Sequence, residues 1–104
     1  MPTVEVLPLA ELPEGSVRAV TVEGYPLIAV YNLGGEVFAT DDLCTHGNAS
    51  LAEGDIEGDE IICPFHEGSF DIRTGEAVGP PCMVPIRTYP ASVVAGAIHV
   101  ELPD

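Results

Sequence analysis

Cys44-Thr45-His46 and Cys63-Pro64-Phe65-His66 each set one thiol and one imidazole within a few residues of each other, and sixteen residues separate the two arms. The chain holds only three cysteines and three histidines, so four of the six sit in these arms. A structural zinc site commonly draws its ligands as like pairs, because four nitrogen or sulfur donors at tetrahedral corners satisfy the metal. Here each arm is mixed. That suits a two-metal cluster in which one iron takes two thiolates and the other two imidazoles, each loop supplying one ligand to each iron. Zinc remains the competing reading, with a simple discriminator: an iron–sulfur cluster is red-brown and zinc is colourless.

The flanks narrow the choice. Gly47 follows the first arm, Glu67-Gly68-Ser69-Phe70-Asp71 extends the second, and Arg73-Thr74-Gly75 and Pro80-Pro81 lie downstream. Together with the arms this pattern resembles the small Rieske [2Fe-2S] ferredoxins of bacterial aromatic-ring-hydroxylating dioxygenases, over nearly the whole chain. The resemblance implies one [2Fe-2S] cluster, with Cys44 and Cys63 on the inner iron, His46 and His66 on the outer one, and Gly79 to Cys82 as a third, proline-rich loop. It implies a one-electron carrier between a NAD(P)H-dependent flavoprotein reductase and a terminal oxygenase, meeting each transiently as a monomer and transforming no substrate itself. A permanently bound small subunit, as in assimilatory nitrite reductase, is the alternative within the same family.

Departures from the high-potential Rieske proteins of respiratory complexes carry information too. Their bracing disulfide would need cysteines at Ala49 and Phe65, and their hydroxyl donors fall at Gly68 and Phe70. Fewer donors leave a reduced cluster less stabilised, so the midpoint is expected at the low end of the Rieske band, about −150 mV.

Strand signals are short and frequent. Eleven glycines and ten prolines favour turns over long helices. Tyr25 to Tyr31 is a nearly continuous apolar run, Leu33-Gly34-Gly35-Glu36 reads as a hairpin turn, and Val37 to Thr40 is its partner strand. Alternation of Val84, Ile86 and Thr88, and of Ile98, Val100 and Leu102 around a turn at Ala95-Gly96, predicts two further strands. One helical turn is expected around Leu9 to Leu12. The fold class is all-β: an antiparallel β-sandwich or partly open barrel formed from both ends of the chain, with a cluster-binding subdomain at about residues 41–82 inserted in a single domain spanning residues 1–104. His99 falls on the strand face opposite Ile98 and Val100 and reads as solvated.

Composition excludes several functions. Acids outnumber bases 17 to 3 and the formal net charge is −14, which argues against nucleic acid or an anionic membrane as partner. Ten of the acids lie between Asp41 and Glu76, where the only base is Arg73, and such a concentration suits protein docking as well as solubility. No stretch has membrane-spanning length or the form of a secretory signal, so a cytoplasmic location is expected. A terminal oxygenase would need two histidines and a carboxylate for its catalytic iron. Beyond the arms only His99 remains. Cys82, left over once two cysteines bind iron, reads as a packed thiol.

Overall fold

The structure is a computed structural model and describes residues 3–45, 49–64, 68–80 and 82–103. Expectations on His46, Gly47, Phe65, His66, Glu67 and Pro81 lie outside the described residues. The described residues form eleven short strands, in chain order β1 (Thr3–Pro8), β2 (Ser16–Val20), β3 (Ile28–Leu33), β4 (Glu36–Asp41), β5 (Asp55–Glu57), β6 (Glu60–Ile62), β7 (Ser69–Asp71), β8 (Ala77–Gly79), β9 (Thr88–Tyr89), β10 (Ala91–Val94) and β11 (Ala97–Glu101). They form three antiparallel sheets, ordered β1-β11-β10, β2-β3-β4-β9 and β5-β6-β7-β8. Chain ends meet in the first sheet, and the third is inserted between β4 and β9. The only helical segments among the described residues are single 3₁₀ turns at Leu9–Glu11 and Leu51–Glu53.

The position of β3 explains its composition. It lies between β2 and β4, and every residue from Ile28 to Asn32 is buried. Strand side chains alternate between faces. Ile28 and Val30 enter one core with Leu7, Ile98, Val100 and Leu102. Ala29 and Tyr31 enter a second core with Leu51, Ile61, Phe70 and Ile72. A strand covered on both sides needs apolar residues at successive positions, whereas β11, covered on one side, alternates. His99 is half-buried on the other face of β11, in register with Glu5 and Ser92.

The β3-β4 hairpin closes through Gly34 and Gly35, at φ 65° and 97°, between the paired Leu33 and Glu36. Both values fall in the left-handed region that a two-residue type I′ turn demands and that glycine enters without strain.

Two expected strands are shorter than their apolar patterns. Tyr25 to Leu27 lies ahead of the strand: the Tyr25 N–H closes a turn onto the Val22 carbonyl at 3.1 Å, and Pro26 has no N–H for a ladder. From residue 84 only Thr88–Tyr89 pairs with β4. Pro85 interrupts the run, Ile86 N–H donates to the Gly75 carbonyl at 2.8 Å, and the Arg87 carbonyl accepts from Asp41 N–H at 2.9 Å. Residues 82–87 therefore link the β7-β8 turn to β4 without forming a strand, and the alternation of 84, 86 and 88 reflects only the burial of Ile86.

Candidate metal centre

The two cysteine arms are built to the same plan. Cys44 N–H donates to the Ala49 carbonyl at 2.9 Å, and Leu43 bridges Ser50. Cys63 N–H donates to the Gly68 carbonyl at 2.6 Å, and Ile62 pairs with Ser69. Each arm is thus a six-residue loop closed between its first and last residues, with a buried thiol at the first position; Cys44 is 2% exposed and Cys63 0%. The histidines fall between those fixed ends in sequence. Among the described residues no group of three or more His, Cys, Asp or Glu side chains could hold a metal ion, and both arm histidines lie outside them.

Buried groups hold the first arm from beneath. The Asp42 carboxylate, 3% exposed, accepts from Ala52 N–H at 2.9 Å, while its own backbone accepts from Leu51 N–H and donates to the Leu27 carbonyl. Beside it the Tyr31 hydroxyl meets Thr40 Oγ1 at 2.8 Å, and burial pushes the tyrosine's pKa well above its usual value. Arg73 ties the inserted sheet to the β3-β4 hairpin, reaching Glu36 at 3.0 Å and Asp59 at 3.3 Å with its guanidinium 4.9 Å from the Phe38 ring centre. Its turn is shaped by Asp71 Oδ1, which accepts from the N–H groups of Arg73 and Thr74.

A third segment closes the site. The Cys82 thiol, 4% exposed, lies 3.7 Å from Cys44 Sγ, and burial pushes its pKa up. A Cβ on Gly68 would stand 2.5 Å from Cys82 Sγ, and one on Gly79 would stand within 2.3 Å of Ser69 Oγ. The second arm and the Gly79-to-Cys82 segment approach this closely only because both positions are glycine. On the first arm's side, Thr45 Oγ1 donates to the Val84 carbonyl at 2.7 Å. Phe70, fully buried, belongs to the same core as the three cysteines.

Sequence reasoning missed two features. The Cys44–Cys82 contact spans 38 residues, and no local pattern signals it. Leu43, Met83 and Val84 flank the buried thiols in sequence yet are 56%, 83% and 60% exposed, and Val84 is not the strand-face residue its alternation predicts. Several acids of the cluster-bearing third also have structural partners. Asp42 caps the 3₁₀ turn, Asp41 accepts from the Tyr89 hydroxyl, and Asp59 pairs with Arg73. Glu53, Asp55, Glu57, Glu60 and Glu76 remain exposed.

The donor chemistry suits an iron–sulfur cluster: two buried thiols at the bases of matched loops, each loop carrying a histidine in its sequence. Fold and site together define an all-β metal-centre protein whose three buried thiols all fall between β4 and β9 in the chain. The chain belongs to the Rieske [2Fe-2S] domain family, whose model matches residues 3–90, and accordingly binds one Rieske-type cluster. It is 46% identical over 99 residues to the ferredoxin component of the naphthalene 1,2-dioxygenase system of Pseudomonas aeruginosa, covering 95% of this chain and 94% of that one. Its fold superposes on the Sphingomonas yanoikuyae B1 ferredoxin with a TM-score of 0.93 at 47% identity, covering 98% and 100% of the two chains. It likewise matches the ferredoxin solved in complex with reduced oxygenase in carbazole 1,9a-dioxygenase, with a TM-score of 0.90 at 40% identity over 94% and 91% of the chains. Like the ferredoxin components it resembles, the chain is an electron carrier and not the catalytic oxygenase. No helix among the described residues is long and apolar enough to cross a membrane.

Proposed function

We propose that Cys44 and Cys63 bind one iron of the cluster and His46 and His66 the other, and that the chain carries single electrons from a NAD(P)H-dependent flavoprotein reductase to the terminal oxygenase of an aromatic-ring dioxygenase system. The observation that carries the ligand assignment is the matched pair of loops, each closed by a Cys N–H bond to the carbonyl five residues on. Cys82 has no histidine beside it in sequence, and its N–H donates back to the Gly79 carbonyl rather than to a carbonyl five residues on. When bound, the cluster accepts and returns one electron at a time. The chain holds the two thiols away from water, which limits hydrolysis and oxidation, and keeps the loops in register through Gly68 and the Thr45–Val84 bond.

Encounters with both partners are brief. The exposed Leu43, Met83 and Val84 supply apolar contact beside the arms, and the exposed acids of the inserted sheet steer approach. The carrier works as a monomer in the cytoplasm, where thiols stay reduced for iron loading.

Iron and sulfide analysis of the purified protein should give two of each per chain. His46→Ala and His66→Ala should each lose the cluster, and X-ray absorption on the wild type should show imidazole nitrogen on iron. A colourless protein holding one zinc would overturn the assignment.

A further inference from the structure

We infer that the Cys82 thiol donates a hydrogen bond to the sulfur of Cys44 and raises the reduction potential of the cluster, acting as a positioning residue through that ligand. The inference rests on Cys44 being an iron ligand. The two sulfurs lie 3.7 Å apart and both are buried, at 2% and 4% exposure. In the metal-free protein either thiol could donate. Iron binding removes the ambiguity, because a ligating cysteine is a thiolate and can only accept. Cys82 then keeps the sole S–H of the pair.

Three features aim that thiol. The Cys82 backbone N–H donates to the Gly79 carbonyl at 3.1 Å, fixing the turn that presents the side chain. Gly68 leaves the space its sulfur occupies, since any Cβ there would stand 2.5 Å from it. Thr45, next to Cys44, donates to the carbonyl of Val84, two residues past Cys82, and so clamps the first arm to the same segment. Reduction adds negative charge that the ligand sulfurs share, so a donor on one of them strengthens as the electron arrives and favours the reduced state. Hydroxyls are missing from positions 68 and 70, so a weak S–H donor at position 82 is a separate contribution from an unrelated part of the chain.

Protein-film voltammetry on holo-protein tests this. Cys82→Ala should shift the one-electron equilibrium toward the oxidised form by about threefold, a midpoint lower by about 30 mV at 59 mV per tenfold. Cys82→Ser, which keeps a donor, should stay within about 1.5-fold of wild type. Resonance Raman needs no variant to begin: the Fe–S(Cys) bands of wild type should move in D2O, and part of that movement should vanish in Cys82→Ala and persist in Cys82→Ser. An intact cluster in Cys82→Ala with the wild-type midpoint and the wild-type D2O shift would overturn the inference alone. Loss of the cluster in both variants would make Cys82 a ligand, overturning the assignment of Cys44 and Cys63 as well.

Discussion

On one face of the β2-β3-β4-β9 sheet, Ile28 and Val30 meet Ile98, Val100 and Leu102; on the other, Ala29 and Tyr31 meet Leu51, Ile61, Phe70 and three cysteines. The first core is closed mainly by aliphatic side chains with one buried tyrosine, Tyr89, and Asn32 spends its amide on the Leu12 carbonyl and the Gly35 N–H. The second keeps Thr40, Asp42 and Ser69 buried on the side of the three cysteines, and its sheet consists of strands only three residues long. Short strands and buried polar groups supply less hydrophobic stabilisation per residue. The contrast leads to an expected division of labour: one core holds the fold, and the other holds the proposed ligands and draws part of its stability from the metal.

Iron removal should break the symmetry most. Chelation under reducing conditions is expected to lower amide protection in β5 to β8 by more than about a hundredfold, while β3 and β11 stay within about tenfold, as for a locally unfolding unit. Hydrogen exchange read by mass spectrometry checks it; uniform loss would show one cooperative unit instead of two. Next come core truncations. Ile98→Ala and Ile61→Ala, both fully buried, should each cost about 2–5 kcal/mol in denaturant unfolding. Only Ile61→Ala should speed iron release to a chelator, and equal release rates would merge the two cores functionally.

Alkaline pH offers a gentler comparison, since each core holds one buried tyrosine. Burial, then the bond to Asp41, push the Tyr89 pKa up to about 12, and burial raises Tyr31 further. Both ionise near pH 10 when unfolded. Between the unfolded and folded values the unfolded chain binds fewer protons, so stability is full below pH 10 and falls as pH rises. Tyr89→Phe should flatten that fall between pH 10 and about 12, whereas Tyr31→Phe should flatten it there and above; urea midpoints across this range decide. At neutral pH, Tyr89→Phe should cost about 1 kcal/mol for the lost hydroxyl bond. The smallest effect is expected from Arg73→Ala, which cuts exposed ion pairs between the two regions. Its shift in melting temperature should be below that of either tyrosine variant and shrink further in high salt.

Much of this was readable residue by residue. The Gly34-Gly35 turn, the helical turn at Leu9 and the alternation through Ile98 and Val100 are local, and all three stand in the structure. The apolar runs at Tyr25 and Val84 misled because an apolar residue need not be buried in a ladder: Leu27 and Val84 are 44% and 60% exposed, and Pro26 and Pro85 have no N–H to donate. The acids were legible as a count, but not which of them stay exposed, because Asp42 finds its partner, the Ala52 N–H, only through the fold and is buried there.

What the amino-acid sequence determined by itself is chemistry carried by short-range spacing: the two mixed Cys/His arms, the family they mark, and the strands whose side chains alternate. What only the tertiary structure decided is everything that depends on segments far apart in the chain meeting at ångström precision. The 3.7 Å contact between Cys44 and Cys82, the space that Gly68 yields to a sulfur, and the exposure of Met83 and Val84 beside the arms are of this kind. Spacing along the chain constrains neighbours through fixed covalent geometry, but it sets no distance between residues 38 apart; packing of the second core sets that distance.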